Sequence, residues 1–307
     1  MKHLSTLAIC SLFSFFISNA DAGELDRKEA LRTLRQVQSW AMQLQQIDIE
    51  QIAASPLDMV VIDYSKDGSD EQRMTADEIE RMRYKADGSR RLVLSYLSIG
   101  EAETYRYYWQ SCWKRAPPVW LGSENPNWPG NYWVRFWYRE WRDQIVGKND
   151  SYLSRIQQAG FDGIYLDRID VYYDWQKEHP QAEAQMIKFI ADITSEARRH
   201  HPGFIVIGQN AEELLRHDDY RAWIDAVSKE DLLYGIDADE SVNSPAAIAW
   251  SEKFLHMAQK DHLPVFGIEY LHDRAKIRTA MQHFSRRNYR LAIADRPLNS
   301  LRLPPGE

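Results

Sequence analysis

The run Phe161-Asp162-Gly163-Ile164-Tyr165-Leu166-Asp167-Arg168-Ile169-Asp170 constrains this chain most. A short apolar strand stops at an acid, and a second acid follows three residues later. Upstream, Ser151 to Ala159 reads as a helix with Tyr152, Leu153 and Ile156 on one face, and Gly160 stands where a helix C-cap glycine belongs. Helix, glycine, buried strand, acid is the order expected in an α/β barrel, where functional groups stand at the C-terminal ends of the strands. Asp167 is therefore the first candidate for chemistry. Asp162 precedes the strand and reads as a turn residue at the opposite end.

The same grammar recurs along the chain. Apolar runs bounded by turn residues read as buried parallel strands at Ser39 to Leu44, Met59 to Asp63, Leu92 to Leu97, Tyr132 to Trp137, Gly163 to Asp167, Phe204 to Gln209, Ala226 to Glu230 and Val265 to Tyr270. Helices are expected between most of them. Thr75 to Glu78 forms a capping box, and Gln181 to His200 carries Met186, Ile187, Ile190 and Ile193 at helical spacing. Ala246 to Lys260 and Asp273 to Arg287 are also helical. The expected fold is a single-domain TIM (β/α)8 barrel. Tyr289 to Ala294 is then one strand too many, an appendix unless Ser39 to Leu44 is not a strand. A doubly wound open sheet is the competing architecture, but the glycine-rich phosphate turn it usually carries is missing.

The amino terminus reads as a leader. Lys2 and His3 precede an apolar stretch, Leu4 to Ile17, that is too short to span a bilayer stably. Ala20-Asp21-Ala22 fits a cleavage site, so residues 1–22 are expected to be a signal peptide and residues 23–307 the barrel. The protein is expected to be exported, to the periplasm or beyond, as a monomer without a stable membrane anchor. Of the two cysteines one falls in the leader, which leaves Cys112 without a partner. The net charge of −7 argues against nucleic acid as a ligand and is compatible with attraction of a cationic one.

Alternation along the strands groups the polar residues. Met59, Val61 and Asp63 share a face, as do Gly163, Tyr165 and Asp167. Ile205, Ile207 and Gln209 do so too, as do Ala226, Ser228 and Glu230, and Val265, Gly267 and Glu269. Glu101 and Glu103 follow the third strand on a loop that begins at Gly100. Several carboxylates at one barrel mouth suit glycoside hydrolysis, where one protonates the leaving oxygen and the other attacks or activates water. His-x-His and His-x-x-x-His spacings are missing, which leaves acid-only magnesium or calcium sites as the open metal alternative. Aromatic residues crowd Tyr105 to Trp141, and Trp128 to Trp133, in a Pro/Gly-rich loop, are the candidates for a sugar-stacking platform.

Ordered stretches across nearly the whole mature chain carry a family resemblance. They are Ser39-Trp40-Ala41-Met42-Gln43-Leu44, Val61-Ile62-Asp63-Tyr64, Tyr96-Leu97-Ser98-Ile99-Gly100-Glu101-Ala102-Glu103, Tyr105-Arg106, Trp128-Pro129-Gly130-Asn131-Tyr132-Trp133-Val134, Gly160 to Asp167, Gln209-Asn210-Ala211-Glu212-Glu213-Leu214-Leu215 and Glu230 to Gly235. Together they resemble glycoside hydrolase family 114 and its bacterial relatives, the endo-α-1,4-polygalactosaminidase-like barrels. The resemblance implies an endo-acting enzyme that cleaves α-1,4-linked galactosamine-containing polysaccharide with retention. It implies a catalytic pair: Asp167, ending the fifth strand, as nucleophile, and Glu230, ending the seventh, as acid and base, or the same two with roles exchanged. Asp63, Glu101, Asp170 and Glu269 would bind hydroxyl or ammonium groups, and Gln209 and Asn210 would supply neutral hydrogen bonds. Tyr64, Tyr165 and Trp133 complete the expected substrate-binding set. No cofactor and no metal are expected. Two other classes fit the same residues: a non-catalytic polysaccharide-binding barrel and a metal-dependent polysaccharide deacetylase.

Overall fold

The computed structural model describes residues 19–303. Residues 1–18, most of the expected leader, lie outside the described residues. Eight parallel strands follow one another around a barrel: β1 Trp40–Gln43, β2 Met59–Ile62, β3 Leu92–Ser98, β4 Gly163–Asp167, β5 Ile205–Gln209, β6 Ala226–Glu230, β7 Val265–Tyr270 and β8 Arg290–Ala294. Hydrogen-bonded ladders join each to the next from β1 through β8. The seam between β8 and β1 is closed by side chains instead. Trp40 Nε1 donates to the Arg290 carbonyl at 3.0 Å, and Arg290 Nε donates to the Val37 carbonyl at 3.1 Å. Above that seam the Leu44 and Gln45 amides both donate to the Leu298 carbonyl.

Two of the expected strands change place. Tyr132 to Trp137 does not enter the barrel. Its first half forms Asn131–Val134, the middle strand of a small antiparallel sheet with Glu101–Glu103 and Leu121–Glu124. Tyr289 to Ala294 is the eighth barrel strand and not an appendix. Asp167 and Glu230 therefore end the fourth and sixth strands, with β5 between them.

The strands are buried on both faces because alternate residues serve two cores. Trp40, Met42, Met59, Val61, Leu94, Tyr165, Ile205, Ile207, Phe266 and Ile268 fill the barrel interior. Val60, Ile62, Val93, Leu97, Ile164, Leu166, Val206 and Val227 face the surrounding helices. Ser151, Thr75, Ser244 and Asp273 cap the helices that begin beside them, and the Thr75–Glu78 capping box forms in both directions. The opening helix, Asn19–Gln36, crosses the N-terminal end of the barrel. Leu34 and Val37 enter the inner core, while Arg27 pairs with Asp225 just before β6. With that end shut, the C-terminal end is where the interior opens.

Candidate active site

A cleft of about 640 Å³ opens at the C-terminal ends of the strands. Its floor is made by strand-end side chains: Asp63 after β2, Tyr96 on β3, Asp167 on β4, Gln209 on β5, Glu230 on β6 and Tyr270 on β7. Loop residues from 44–46, 65–68, 101–106, 128–131 and 296–298 form the walls. Six of the lining residues are acidic and four are basic.

Asp167 sits low in the cleft. Its Oδ2 accepts from the Tyr96 hydroxyl at 2.6 Å, and its Oδ1 accepts from the backbone N–H of Arg168 at 2.7 Å. The second bond exists because Arg168 adopts a left-handed conformation, φ +57°, an unusual one for a residue with a bulky side chain. Gly100 makes room for this turn, since a Cβ there would lie 2.2 Å from the Arg168 carbonyl oxygen. Burial raises the Asp167 carboxyl to about 7, and the negative charge of Glu230 pushes in the same direction.

Glu230 is held by more donors. Gln209 Nε2 and Asn210 Nδ2 donate to its Oε2 at 3.0 and 3.2 Å, and the Tyr270 hydroxyl donates to its Oε1 at 2.5 Å. Asn210 also accepts from the Glu230 backbone N–H at 3.1 Å, so one side chain holds both the backbone and the carboxylate of its neighbour. Asn210, Ala211 and Asp231 are all left-handed. Strained backbone thus follows β4, β5 and β6 at the one end of the barrel where the polar groups converge.

The remaining cleft acids are already engaged. Glu101 accepts from Asn125 and Asn131 at 2.8 and 3.1 Å and forms an ion pair with Arg168, Nε at 2.9 Å, so the small antiparallel sheet braces the residue that follows Asp167. Asp63 and Glu103 share the buried guanidinium of Arg106 at 2.7 and 2.5 Å, and Tyr105 donates to Glu103. Burial raises the Glu103 carboxyl, with Arg106 opposing that effect. Removing one partner from such a group typically costs about 3–5 kcal/mol, because the other charge is left buried.

Of the expected site residues, Asp63, Glu101, Asp167, Gln209, Asn210 and Glu230 line this cleft. Five do not. Tyr64 turns into the outer core against Tyr152 and Tyr107, its hydroxyl directed to Ser69 and Asp70. Tyr165 is wholly buried below the cleft against Trp40. Asp170 lies beside Arg168 at 3.4 Å, outside the lining. Trp133 packs against the outer core, while its loop neighbour Trp128 is exposed at the rim.

Glu269 is the most instructive of the five. The inward face of β7 is Phe266, Ile268 and Tyr270, the opposite parity from the one its acid suggested. Gly267 faces outward, where a Cβ would strike Phe284, and Glu269 is buried outside the barrel, accepting from the Leu233 N–H at 2.8 Å. Burial raises it to about 8. The bulky residues marked the true face, because a barrel interior needs volume that valine and glycine do not supply. Tyr96, Arg106, Arg168, Tyr270 and Arg296 were missed as site residues. Tyr96 was visible as the end of the Leu92, Leu94, Tyr96 alternation. The arginines are read only in part locally: Arg106 has Glu103 three residues before it, but Asp63 for Arg106, Glu101 for Arg168 and Asp231 for Arg296 are distant in sequence.

Among the described residues, no group of three or more His, Cys, Asp or Glu side chains is placed to hold a metal ion, and no helix is long and apolar enough to cross a membrane. Cys112 is free and exposed.

Comparison with known proteins agrees with this architecture. The glycoside hydrolase domain of PelA from Pseudomonas aeruginosa superposes with a TM-score of 0.65 at 15% identity, covering 86% of this chain and 97% of that one, which speaks for the fold. "Uncharacterized protein MJ1477" of Methanocaldococcus jannaschii is 38% identical over 247 residues, 77% of this chain and 67% of the relative. A Thermotoga maritima protein is 36% identical over 223 residues, and the match spans 66% of its length. A Deinococcus radiodurans protein is 34% identical over 275 residues, 87% of this chain and 83% of its own. The model of the glycoside hydrolase family GH114 matches residues 23–305, almost everything beyond the expected leader. The chain therefore belongs to the glycoside hydrolases of family GH114.

Proposed function

We propose that the protein is an exported, endo-acting hydrolase of α-1,4-linked galactosamine-containing polysaccharide, working with retention through Asp167 and Glu230. The observation that carries this reading is the pair itself. Two carboxyls stand on alternate strands and face one cleft, and the charge of Glu230 adds to the rise in Asp167. Hydrolysis with two carboxyls needs one proton between them. Burial and the Glu230 charge bring Asp167 to about 7, so the free pair holds a proton over the acidic range up to neutrality.

In the first step the proton held on Asp167 passes to Glu230, and the Asp167 carboxylate so formed bonds to the anomeric carbon. The bond to the leaving oxygen breaks, and Glu230 gives that oxygen its proton. The Tyr96 hydroxyl and the Arg168 N–H support Asp167 as it ionises. In the second step Glu230 takes a proton from water, the water oxygen bonds to the anomeric carbon, and Asp167 is released. The assignment of nucleophile and acid rests on the family resemblance. An excess of acids over bases in the cleft favours an amino sugar carrying positive charge. Because Asp63, Glu101 and Glu103 are already paired with arginines, the exposed rim residue Asp67 and the pair itself are left to meet an ammonium group.

The test is digestion of partly deacetylated α-1,4-galactosaminogalactan by residues 23–307. The expected result is a mixture of internal fragments, unaffected by chelators, with Asp167→Asn binding the polymer but not cutting it. Binding without turnover by the wild type would favour a carbohydrate-binding barrel. Turnover lost on chelation would favour metal-dependent chemistry.

A further inference from the structure

We propose that Arg296 is a positioning residue for Glu230, acting through Tyr270. This rests on the reading of Glu230 as a catalytic carboxyl and goes beyond it.

Arg296 follows β8 and is the lone cationic residue from that part of the chain to line the cleft. Its guanidinium lies over the Tyr270 ring, 4.0 Å from the ring centre. From there its two terminal nitrogens reach Asp231, at 2.8 and 3.2 Å. Tyr270 ends β7 and donates to Glu230 Oε1. Asp231 directly follows Glu230 in a left-handed conformation, φ +53°. One planar side chain therefore spans the ends of three neighbouring strands and grips Glu230 from both directions, the phenol in front and the backbone behind. A guanidinium has the shape for this task, since it can stack on a ring and fork to a carboxylate at once. An ammonium group can do only one of these well. Gly235 adds to the fit: it sits at φ +106°, and a Cβ there would lie 2.4 Å from Asp231 Oδ1 and 3.1 Å from Arg296.

The cation packed on its face holds the ring in one orientation and so fixes where the phenolic oxygen stands. Without Arg296, Tyr270 is free to rock, and the carboxyl oxygen that must face the leaving group loses its anchor. Misplacement of this size costs about 100-fold in turnover. Binding of polymer depends on the whole cleft and is expected to change little.

The experiment is a double-substitution cycle on the full mature chain with Arg296→Gln, Arg296→Lys and Tyr270→Phe. Arg296→Gln is expected to lower kcat about 100-fold with KM within about threefold. Arg296→Lys, which keeps the charge without the fork, should recover only a small part. Arg296→Gln combined with Tyr270→Phe should lose no more than the worse single variant. A second readout does not need turnover. The carboxyl carbon resonance of Glu230, assigned by its loss in Glu230→Gln, should change its chemical shift at fixed pH in Arg296→Gln and in Tyr270→Phe, and change no further in the double variant. Additive losses, additive chemical-shift changes or an effect confined to KM would overturn the proposal. Absence of turnover in the wild type, with the chemical-shift coupling intact, would overturn only the hydrolase reading.

Discussion

At the end of β4, Asp167 accepts from one tyrosine and one backbone amide, and it lies deep enough that burial raises its carboxyl to about 7. At the end of β6, Glu230 accepts from one tyrosine and two side-chain amides. The plan is otherwise shared. Each acid ends its strand and is followed by a left-handed residue whose side chain forms an ion pair with a distant partner: Arg168 with Glu101, and Asp231 with Arg296. The difference is in the donors. Glu230 takes its donors from side chains on the two flanking strand ends. Asp167 takes one of its two from the backbone, a setting that fixes direction. Fixed direction suits attack at carbon, and a ring of side-chain donors suits a carboxyl that gives and takes a proton.

The comparison breaks first at the acids. Asp167→Asn is expected to lower kcat/KM by roughly 10⁴-fold or more, because it removes the attacking oxygen. Glu230→Gln should cost roughly 10²–10⁴-fold on polymer. With an aryl glycoside whose leaving group needs no proton, Glu230→Gln should regain much of its first-step rate and Asp167→Asn should regain none. Equal recovery in both would erase the distinction between the two sides, and recovery in Asp167→Asn alone would exchange their roles.

Protonation sharpens the contrast. The folded-state value of Asp167 lies above its unfolded value of 3.8. Between those values the folded chain binds the additional proton, so stability falls as pH rises from about 4 to about 7 and stays low above that. Asp167→Asn removes this slope. Its melting temperature should match the wild type near pH 4 and exceed it at pH 8, by an amount corresponding to on the order of 2–4 kcal/mol. Thermal melts at the two pH values check this, and an advantage at pH 4 instead would contradict the sign. Activity should fall on the alkaline side as the pair loses its shared proton. Glu269→Gln should likewise stabilise the chain at alkaline pH, since burial raises that carboxyl as well. It should leave kcat within about threefold, because Glu269 lies outside the cleft.

Tyr96→Phe and Tyr270→Phe test the tyrosine on each side. A hydrogen bond to a charged group is worth about 1.5–3 kcal/mol, so each should lower kcat by roughly 10- to 100-fold. Tyr96→Phe should act on the first step and Tyr270→Phe on proton transfer, which pre-steady-state kinetics separates. The smallest effect belongs to Trp128. Loss of a rim aromatic in Trp128→Ala should raise KM for long polymer about 3- to 10-fold and leave kcat unchanged.

Much of this was legible from the chain. Met59–Ile62, Leu92–Ser98, Gly163–Asp167 and Ile205–Gln209 are dense apolar runs, and runs of that kind fit buried parallel strands. Asp167 and Glu230 were legible because each closes its strand on the same side as its inward residues. Local pattern failed where a residue's role depends on a distant partner. Aromatic alternation at Tyr132 to Trp137 matches a strand, but nothing local says which sheet it joins. Arg290–Ala294 has little apolar bulk, since two of its inward residues are alanines beside Trp40. Arg106 finds Asp63, Arg168 finds Glu101 and Arg296 finds Asp231 from distant parts of the chain, which no periodicity records.

Capture of the covalent intermediate tests the central claim most directly. Glu230→Ala, treated with a slow galactosaminyl substrate bearing an activated leaving group, is expected to gain one sugar mass on the peptide that carries Asp167. The same treatment of Asp167→Asn should give no adduct. A sugar found on any other carboxyl, or turnover by the wild type that releases product of inverted anomeric form, would contradict the account.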